Sequence, residues 1–227
     1  MEILYKDDNC IVIYKPALMP SQPDPTGDPD ALTLSMRALS ELGERSELYP
    51  IHRLDRVVGG LLAFARNKRS AAALSELVST DGIGKEYLAV TDAPLAGGEY
   101  TDLIYKDAKQ KKSFIVDRMR SGVKEARLTL TPIAEAEHNG RTKMLSRVIL
   151  STGRFHQIRA QLSHRAAPIT GDKKYGSRDP MAKEPALFAT HLSFSLFGKI
   201  IDVRRNPDTA SYPWSLFSSD IEGDGHK

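Results

Sequence analysis

Two short stretches hold the residues best suited to chemistry. The first is Ile51-His52-Arg53-Leu54-Asp55-Arg56-Val57-Val58-Gly59-Gly60-Leu61. Asp55 lies two residues from Arg53 and beside Arg56, on a loop spanning 51–60 that feeds the apolar run Leu61-Leu62-Ala63-Phe64-Ala65. Loops carried by a rigid scaffold commonly hold catalytic groups. A cationic surround keeps a carboxylate ionised, lowering its pKa by about 1–3 units, and an ionised carboxylate can act as nucleophile or base. Gly59-Gly60 permits a sharp turn or close approach to a ligand. On the residues alone, a surface ion pair accounts for Asp55 equally well.

The second stretch is Gly153-Arg154-Phe155-His156-Gln157-Ile158-Arg159-Ala160-Gln161-Leu162-Ser163-His164. At helical pitch Phe155, Ile158 and Leu162 form an apolar stripe, so 154–165 reads as a short amphipathic helix. Arg159 falls on the edge of that stripe, with His156 and Ser163 further round the same side. An arginine placed there is partly buried and calls for an anion; Asp55 is a candidate. His156 and His164 are a poor metal pair, and no carboxylate at helical spacing completes a site, so no metal is expected.

Other chemistries lack their parts. His52-Arg53-Leu54-Asp55 looks like a kinase H-R-D loop, but it has an extra leucine, no downstream Asn and no glycine-rich loop. There is no G-x-x-x-x-G-K-[ST], no strand-linked G-x-G-x-x-G and no G-x-S-x-G. An Asp-dependent glycosidase expects a second working carboxylate, and neither stretch supplies one beside Asp55. No cofactor is expected.

Composition sets the wider frame. The chain has 227 residues, 41% hydrophobic and 27% charged, ordinary for a globular protein. No apolar run approaches the roughly 18 residues of a membrane span. The N-terminus lacks the basic-then-apolar layout of a secretory signal, so the cytoplasm is the expected compartment. Cys10 is the one cysteine; it excludes an intrachain disulfide and a cysteine-only zinc site, and in a strand it reads as buried. Lys and Arg number 32 against 29 Asp and Glu, too mild an excess to name a partner. The distribution says more. Residues 106–127 carry eight basic residues against three acids, and 150–175 carry five against one, Asp172. Two basic segments in a nearly neutral chain suggest a surface facing a polyanion, although charge alone favours a solvated charged face.

The elements that must position these residues follow from periodicity and turn chemistry. Residues 3–14 read as a hairpin around Asp7-Asp8-Asn9. A Pro-rich loop spans 20–29, and a helix follows with Asp28 as cap and Pro29 in its first position, stopped by Gly43. Asn67 caps a second helix that ends before Gly82. Lys85–Val90 reads as a strand. Alternating segments fill 103–149, with Asn139-Gly140 a two-residue hairpin turn. Two β-rich runs flank Phe197-Gly198-Lys199 within 187–203. Many hairpins and few helices give an α+β class with flanking helices and a mixed, largely antiparallel sheet. With no long linker, 1–227 reads as a single domain, expected monomeric, and 218–227 as a flexible tail.

The two stretches together resemble the RluA-type family of RNA pseudouridine synthases. The family's H-R-L-D-x-x-T-S-G-L is H-R-L-D-R-V-V-G-G-L at 52–61, and its G-R-T-H-Q-I-R-x-x-L is G-R-F-H-Q-I-R-A-Q-L at 153–162. Its H-P-I-x-G-D-x-x-Y-G is A-P-I-T-G-D-K-K-Y-G at 167–176. Lys85-Glu86-Tyr87-Leu88-Ala89 is similar to its K-x-Y-x-A strand, and Lys15-Pro16 followed by Pro20 to its K-P-x-x-x-P segment. The likeness runs over roughly residues 3–205. Three departures stand out: Val58-Gly59 replace the family's Thr-Ser, Phe155 its Thr, and Ala167 its His.

The resemblance implies a central cleft across the sheet and an isomerase. It would convert uridine in ribosomal or transfer RNA to pseudouridine, without cofactor, on a base taken out of its stack. By likeness, Asp55 is the nucleophile or base, Tyr87 lies against the uridine, and Arg159 pairs with Asp55. From periodicity alone, Tyr87 is a core tyrosine. Arg53 would take the vacated place of the base. His52, Arg154, His156, Gln157, Lys111 and Lys112 complete the expected RNA-binding set. Arg159→Leu is expected to fold but be inactive. The small N-terminal RNA-binding domain of some relatives is expected to be absent. The competing class is a catalytically silent RNA-binding protein on the same scaffold.

Overall fold

A computed structural model describes residues 1–224. In chain order its elements are β1 (Glu2–Lys6), β2 (Cys10–Lys15), α1 (Ala31–Glu41), β3 (Tyr49–Pro50), β4 (Gly59–Ala65), α2 (Lys68–Ser79), β5 (Gly84–Thr91), β6 (Gly98–Asp107), β7 (Lys112–Val116), β8 (Val123–His138), β9 (Arg141–Leu150), α3 (Gln157–His164), β10 (Leu187–Leu196), β11 (Lys199–Arg204) and α4 (Ser218–Asp224). The chain divides into two compact units, Met1–Lys85 with Phe188–Pro207, and Glu86–Leu187 with the segment from Asp208 onward.

The first unit is built on β4, whose seven residues are all buried. One edge of β4 pairs antiparallel with β2, from Cys10 opposite Ala65 to Lys15 opposite Gly60, and β1 continues beyond β2. Its other edge carries β3 at Ala65 and Phe64, and β10, parallel, at Gly59 and Gly60. β11 folds back on β10. A strand buried on both of its faces leaves no outward position for a polar side chain, which explains the continuous apolar run. Gly60 has a particular reason to be glycine. Its φ is +124°, and a Cβ there would lie 2.3 Å from the Ala189 carbonyl oxygen. Cys10, Val12, Leu61, Ala63, Leu74, Leu192 and Phe194 share this unit's core.

In the second unit β5, β9, β8, β6 and β7 lie side by side in that order, all antiparallel. The β8–β9 turn is Asn139-Gly140, both at positive φ, 51° and 69°, as a two-residue turn between twisted strands requires. The fold is therefore mixed α+β with a largely antiparallel sheet, as the alternation predicts. α3 lies against β6 and β7 and buries Ile158, Ala160 and Leu162.

Two boundaries differ from the sequence reading. α1 is capped by Asp30, whose Oδ1 accepts the Thr33 N–H at 2.9 Å. Asp28 instead pairs with the Arg56 guanidinium, so the cap moves two residues on. α3 begins at Gln157 rather than 154, because His156 sits in the left-handed region at φ 52° and breaks the helical run. In the stretch read as a flexible tail, Ser218–Asp224 is helical, with Ile221 buried behind buried Trp214 and Phe217; 225–227 lie outside the described residues. Among the described residues no helix is long and apolar enough to cross a membrane.

Candidate active site

The Asp55 loop owes its shape to the segment 15–28. Ser21 Oγ accepts the Leu54 N–H at 3.1 Å and donates to the Leu54 carbonyl at 2.8 Å, clamping the residue before Asp55 at both backbone groups. Leu54 and Val58 are buried on either side. Asp55 itself is half-buried, and its carbonyl accepts the Val58 N–H at 3.0 Å, closing a tight turn. Arg56, exposed, reaches back to Asp24, Thr26 and Asp28. The loop is thus tied down by a segment some thirty residues upstream while Asp55 keeps partial access to solvent.

Beneath the loop lies a group that residue patterns alone did not single out. Lys15, at the end of β2, is fully buried. Its Nζ donates to the carbonyls of Met19 (2.8 Å), Pro16 (3.0 Å) and Arg56 (3.3 Å). Burial pushes its pKa down to about 7, and the negative charge of Asp55 works against that fall. Lys15 therefore stitches the chain before Asp55 to the residue after it and feels the Asp55 charge. The signal was a lysine closing an apolar strand just before proline, present only in the K-P likeness.

His52, expected to face RNA, turns inward. Its Nε2 accepts the Ala63 N–H at 3.1 Å, so the ring proton sits on Nδ1. Desolvation, with a smaller push from Lys85, lowers its pKa to about 3. It acts as a neutral acceptor that ties the loop to β4. Arg53 is exposed.

In the second unit Tyr87 is buried in β5, opposite Val148 of β9. Arg159, expected at the edge of the α3 stripe, is 4% exposed and lies fully inside. Its Nε donates to Asp172 Oδ2 at 2.6 Å and its Nη2 to Asp172 Oδ1 at 2.9 Å. This fork is the geometry that best matches guanidinium to carboxylate. Asp172, from the G-D-K-K-Y-G stretch, is thus a buried anion on Arg159. The Asp172 segment is itself anchored. Lys143, buried, bridges Asp92 (2.6 Å) and Asp179 (2.7 Å), and Asp92 accepts from Thr170 Oγ1 (2.8 Å) and Ser177 Oγ (2.6 Å).

The remaining expected contacts divide. Gln157 is buried; its Oε1 accepts from Thr152 Oγ1 (2.8 Å) and the Arg154 N–H (3.0 Å), and its Nε2 donates to the Arg127 carbonyl (3.0 Å). It braces the turn into α3. Arg154 is half-buried and its Nε donates to the Glu125 carbonyl at 2.8 Å. Lys111 is exposed, Lys112 half-buried, and His156 half-buried and stacked on Phe155. Among the described residues, no group of three or more His, Cys, Asp or Glu is arranged to hold a metal ion.

Comparison with known proteins places this arrangement. Residues 9–164 match the family described as RNA pseudouridylate synthase. tRNA pseudouridine synthase C of Haemophilus ducreyi is 34% identical over 186 residues, covering 78% of this chain and 74% of that protein. Ribosomal large subunit pseudouridine synthase D of Xylella fastidiosa is 30% identical over 181 residues, covering 78% of this chain but 52% of that protein. The chain thus spans about half the length of this second relative. The fold is shared with the solved human RNA pseudouridylate synthase domain containing 4, at a TM-score of 0.77 and 20% identity over 97% of this chain and 93% of that one. This chain belongs to the RNA pseudouridylate synthase family. Its class is that of an isomerase acting on RNA.

Proposed function

We propose that this chain isomerises specific uridines of ribosomal or transfer RNA to pseudouridine, with Asp55 as the catalytic group, acting in the cytoplasm as a single catalytic domain. The observation that carries the reading is the construction around Asp55. Its flanking backbone is held by Ser21 and Lys15 while the carboxylate stays half-exposed, inside the span that matches the family. Relatives named for transfer RNA and for the large ribosomal subunit both support an RNA substrate.

In the proposed reaction the C1′–N1 bond of uridine breaks, the base turns, a C1′–C5 bond forms, the C5 proton leaves and N1 takes up a proton in its place. Atoms and electrons balance without an oxidant or hydrolytic water. Asp55 acts as nucleophile or base on a uridine taken out of its stack, which costs a few kcal/mol. Tyr87 offers a ring to the base and a hydroxyl for proton transfer. Arg159, oriented by Asp172, supplies fixed positive charge at the site. Arg53 fills the place the base leaves, since guanidinium planes stack well on bases. Arg154, Lys111 and Lys112 contact phosphates, which position the strand without reading it.

Tritium release from C5-labelled uridine in bulk RNA tests the proposal. Wild-type protein releases tritium and Asp55→Asn does not. Equal release from both would remove Asp55 from the chemistry, and tight RNA binding without release from either would favour a silent RNA-binding protein.

A further inference from the structure

The turn into α3 contains two adjacent rings that the proposed chemistry at Asp55 does not use. Phe155 and His156 stack with centroids 3.8 Å apart and planes 22° from parallel. Both side chains are half-buried. The left-handed backbone of His156, φ 52°, breaks the helical run at this point, in a conformation for which His is enriched among non-glycine residues.

The stack is braced from behind. Tyr175 meets His156 edge-on, with centroids 5.6 Å apart and planes at 77°. The Tyr175 hydroxyl accepts the Ser113 N–H at 2.8 Å and is hydrogen-bonded to His156 Nδ1 at 2.9 Å. Ser113 Oγ also donates to the Phe155 carbonyl. The two rings are therefore held by β7 and by the Lys173–Tyr175 turn as well as by their own turn.

Cations surround the stack. The Lys106 ammonium lies 4.8 Å from the centre of the Phe155 ring, and Lys112 lies 4.9 Å from the centre of Tyr175. Lys106 is exposed, as is the neighbouring Lys111. Phe155 is also one of the places where this chain departs from the family pattern, which has Thr.

We infer that Phe155 and His156 form a stacking site for an unpaired nucleobase of the RNA strand, with Lys106 and Lys112 placed to take the adjoining phosphates. The inference rests on the proposed RNA substrate and adds a feature of it: the bound segment is single-stranded at this point. Magnitudes favour the exchange. An exposed cation–π contact such as Lys106 on Phe155 is weaker than the stacking of a base on an aromatic side chain. A base can displace the ammonium, which then moves to a phosphate. Stacking tolerates any base, so the site adds affinity and selects strand form more than sequence.

The test uses the full chain and three probes: a twelve-nucleotide oligouridine, an abasic ribose-phosphate oligomer of equal length and charge, and a twelve-base-pair RNA duplex. Phe155→Trp gains emission that oligouridine quenches in a saturable way, above the background of Trp214 in the wild type. The abasic oligomer and the duplex leave that emission unchanged. Phe155→Ala and Phe155→Thr bind oligouridine about 5- to 150-fold more weakly and the abasic oligomer as the wild type does, and they raise KM more than they lower kcat in tritium release. Unquenched emission from Phe155→Trp carrying bound oligouridine overturns the inference. So does wild-type affinity in Phe155→Ala, while tritium release by the wild type and none by Asp55→Asn leaves the reading of Asp55 standing. Absence of both RNA binding and tritium release in the wild type would overturn both.

Discussion

Arg159 is forked onto Asp172, Nε to Oδ2 at 2.6 Å and Nη2 to Oδ1 at 2.9 Å, with both side chains out of solvent. Thirteen residues of chain separate them, and the segment carrying Asp172 is bound in turn to Asp92 through Thr170 and Ser177. The guanidinium is thus aimed by a carboxylate whose own position is over-determined.

This pairing changes what Arg159→Leu should do. The variant leaves the Asp172 carboxylate buried without its fork, and breaking a buried pair from one side costs about 3–5 kcal/mol. Arg159→Leu is therefore expected to fold only marginally. Arg159→Leu with Asp172→Leu removes both charges and recovers most of that loss. Urea denaturation gives the stabilities, and tritium release from C5-labelled RNA gives activity. The double variant should be stable and inactive. A double variant no more stable than Arg159→Leu would show that the fork is not what the fold depends on.

Lys15 ties pH to stability on the alkaline side. Its folded pKa is about 7, against about 10.4 for an unperturbed lysine. Between those values the unfolded chain binds more protons than the folded one, so the Lys15 contribution to stability rises with pH, by at most about 1.4 kcal/mol per unit. Lys15→Met lacks this rise and leaves the carbonyls of Pro16, Met19 and Arg56 without their shared donor. It should be less stable than the wild type by about 1–3 kcal/mol at pH 9, with the difference shrinking towards pH 7. Parallel denaturation curves for the two proteins across pH 7–9 would refute this.

His52 acts in the acid range. Its pKa is lowered to about 3, against about 6.5 in an unfolded chain. As pH falls from 6.5 towards 3 the unfolded state takes up a proton that the folded state refuses, and stability drops by up to about 1.4 kcal/mol per unit. In His52→Gln an amide oxygen can accept the Ala63 N–H and does not titrate. The gap between wild type and variant should therefore shift by that slope between pH 6 and pH 4, measured by thermal or urea unfolding. A constant gap would mean that His52 is not the neutral acceptor described.

Gly60 is the position least able to change. A Cβ would meet the Ala189 carbonyl oxygen at 2.3 Å and nitrogen at 2.5 Å, and the backbone is at φ +124°. Both the clash with main chain and the strain act together, so Gly60→Ala should lose more than about 3 kcal/mol. Gly140→Ala, at φ +69° with nothing within 4 Å of the new Cβ, carries strain alone and should lose about 1–2 kcal/mol. Similar melting temperatures for the two variants would contradict the close approach of β4 to β10.

Much of this was readable in the residues. The Leu61–Ala65 run, the Asn67 cap, the Asn139-Gly140 turn and the Phe197-Gly198 turn are local signals, set by short-range sterics and burial, and each lies where the structure has it. The α1 cap was misplaced by two residues because Asp28 and Asp30 are equally good caps in isolation, and the choice depends on Arg56 drawing Asp28 away.

The order of the residues by itself determined the apolar faces, the turns and the spaced motifs that mark the family, because periodicity and turn geometry act over a few residues. The tertiary structure alone decided that Asp172 orients Arg159, that Lys15 is buried beneath the Asp55 loop, that His52 and Gln157 point inward and that Phe155 stacks on His156. Those pairings depend on which distant segments close on one another, and a carboxylate or imidazole carries no local mark of the partner it will meet.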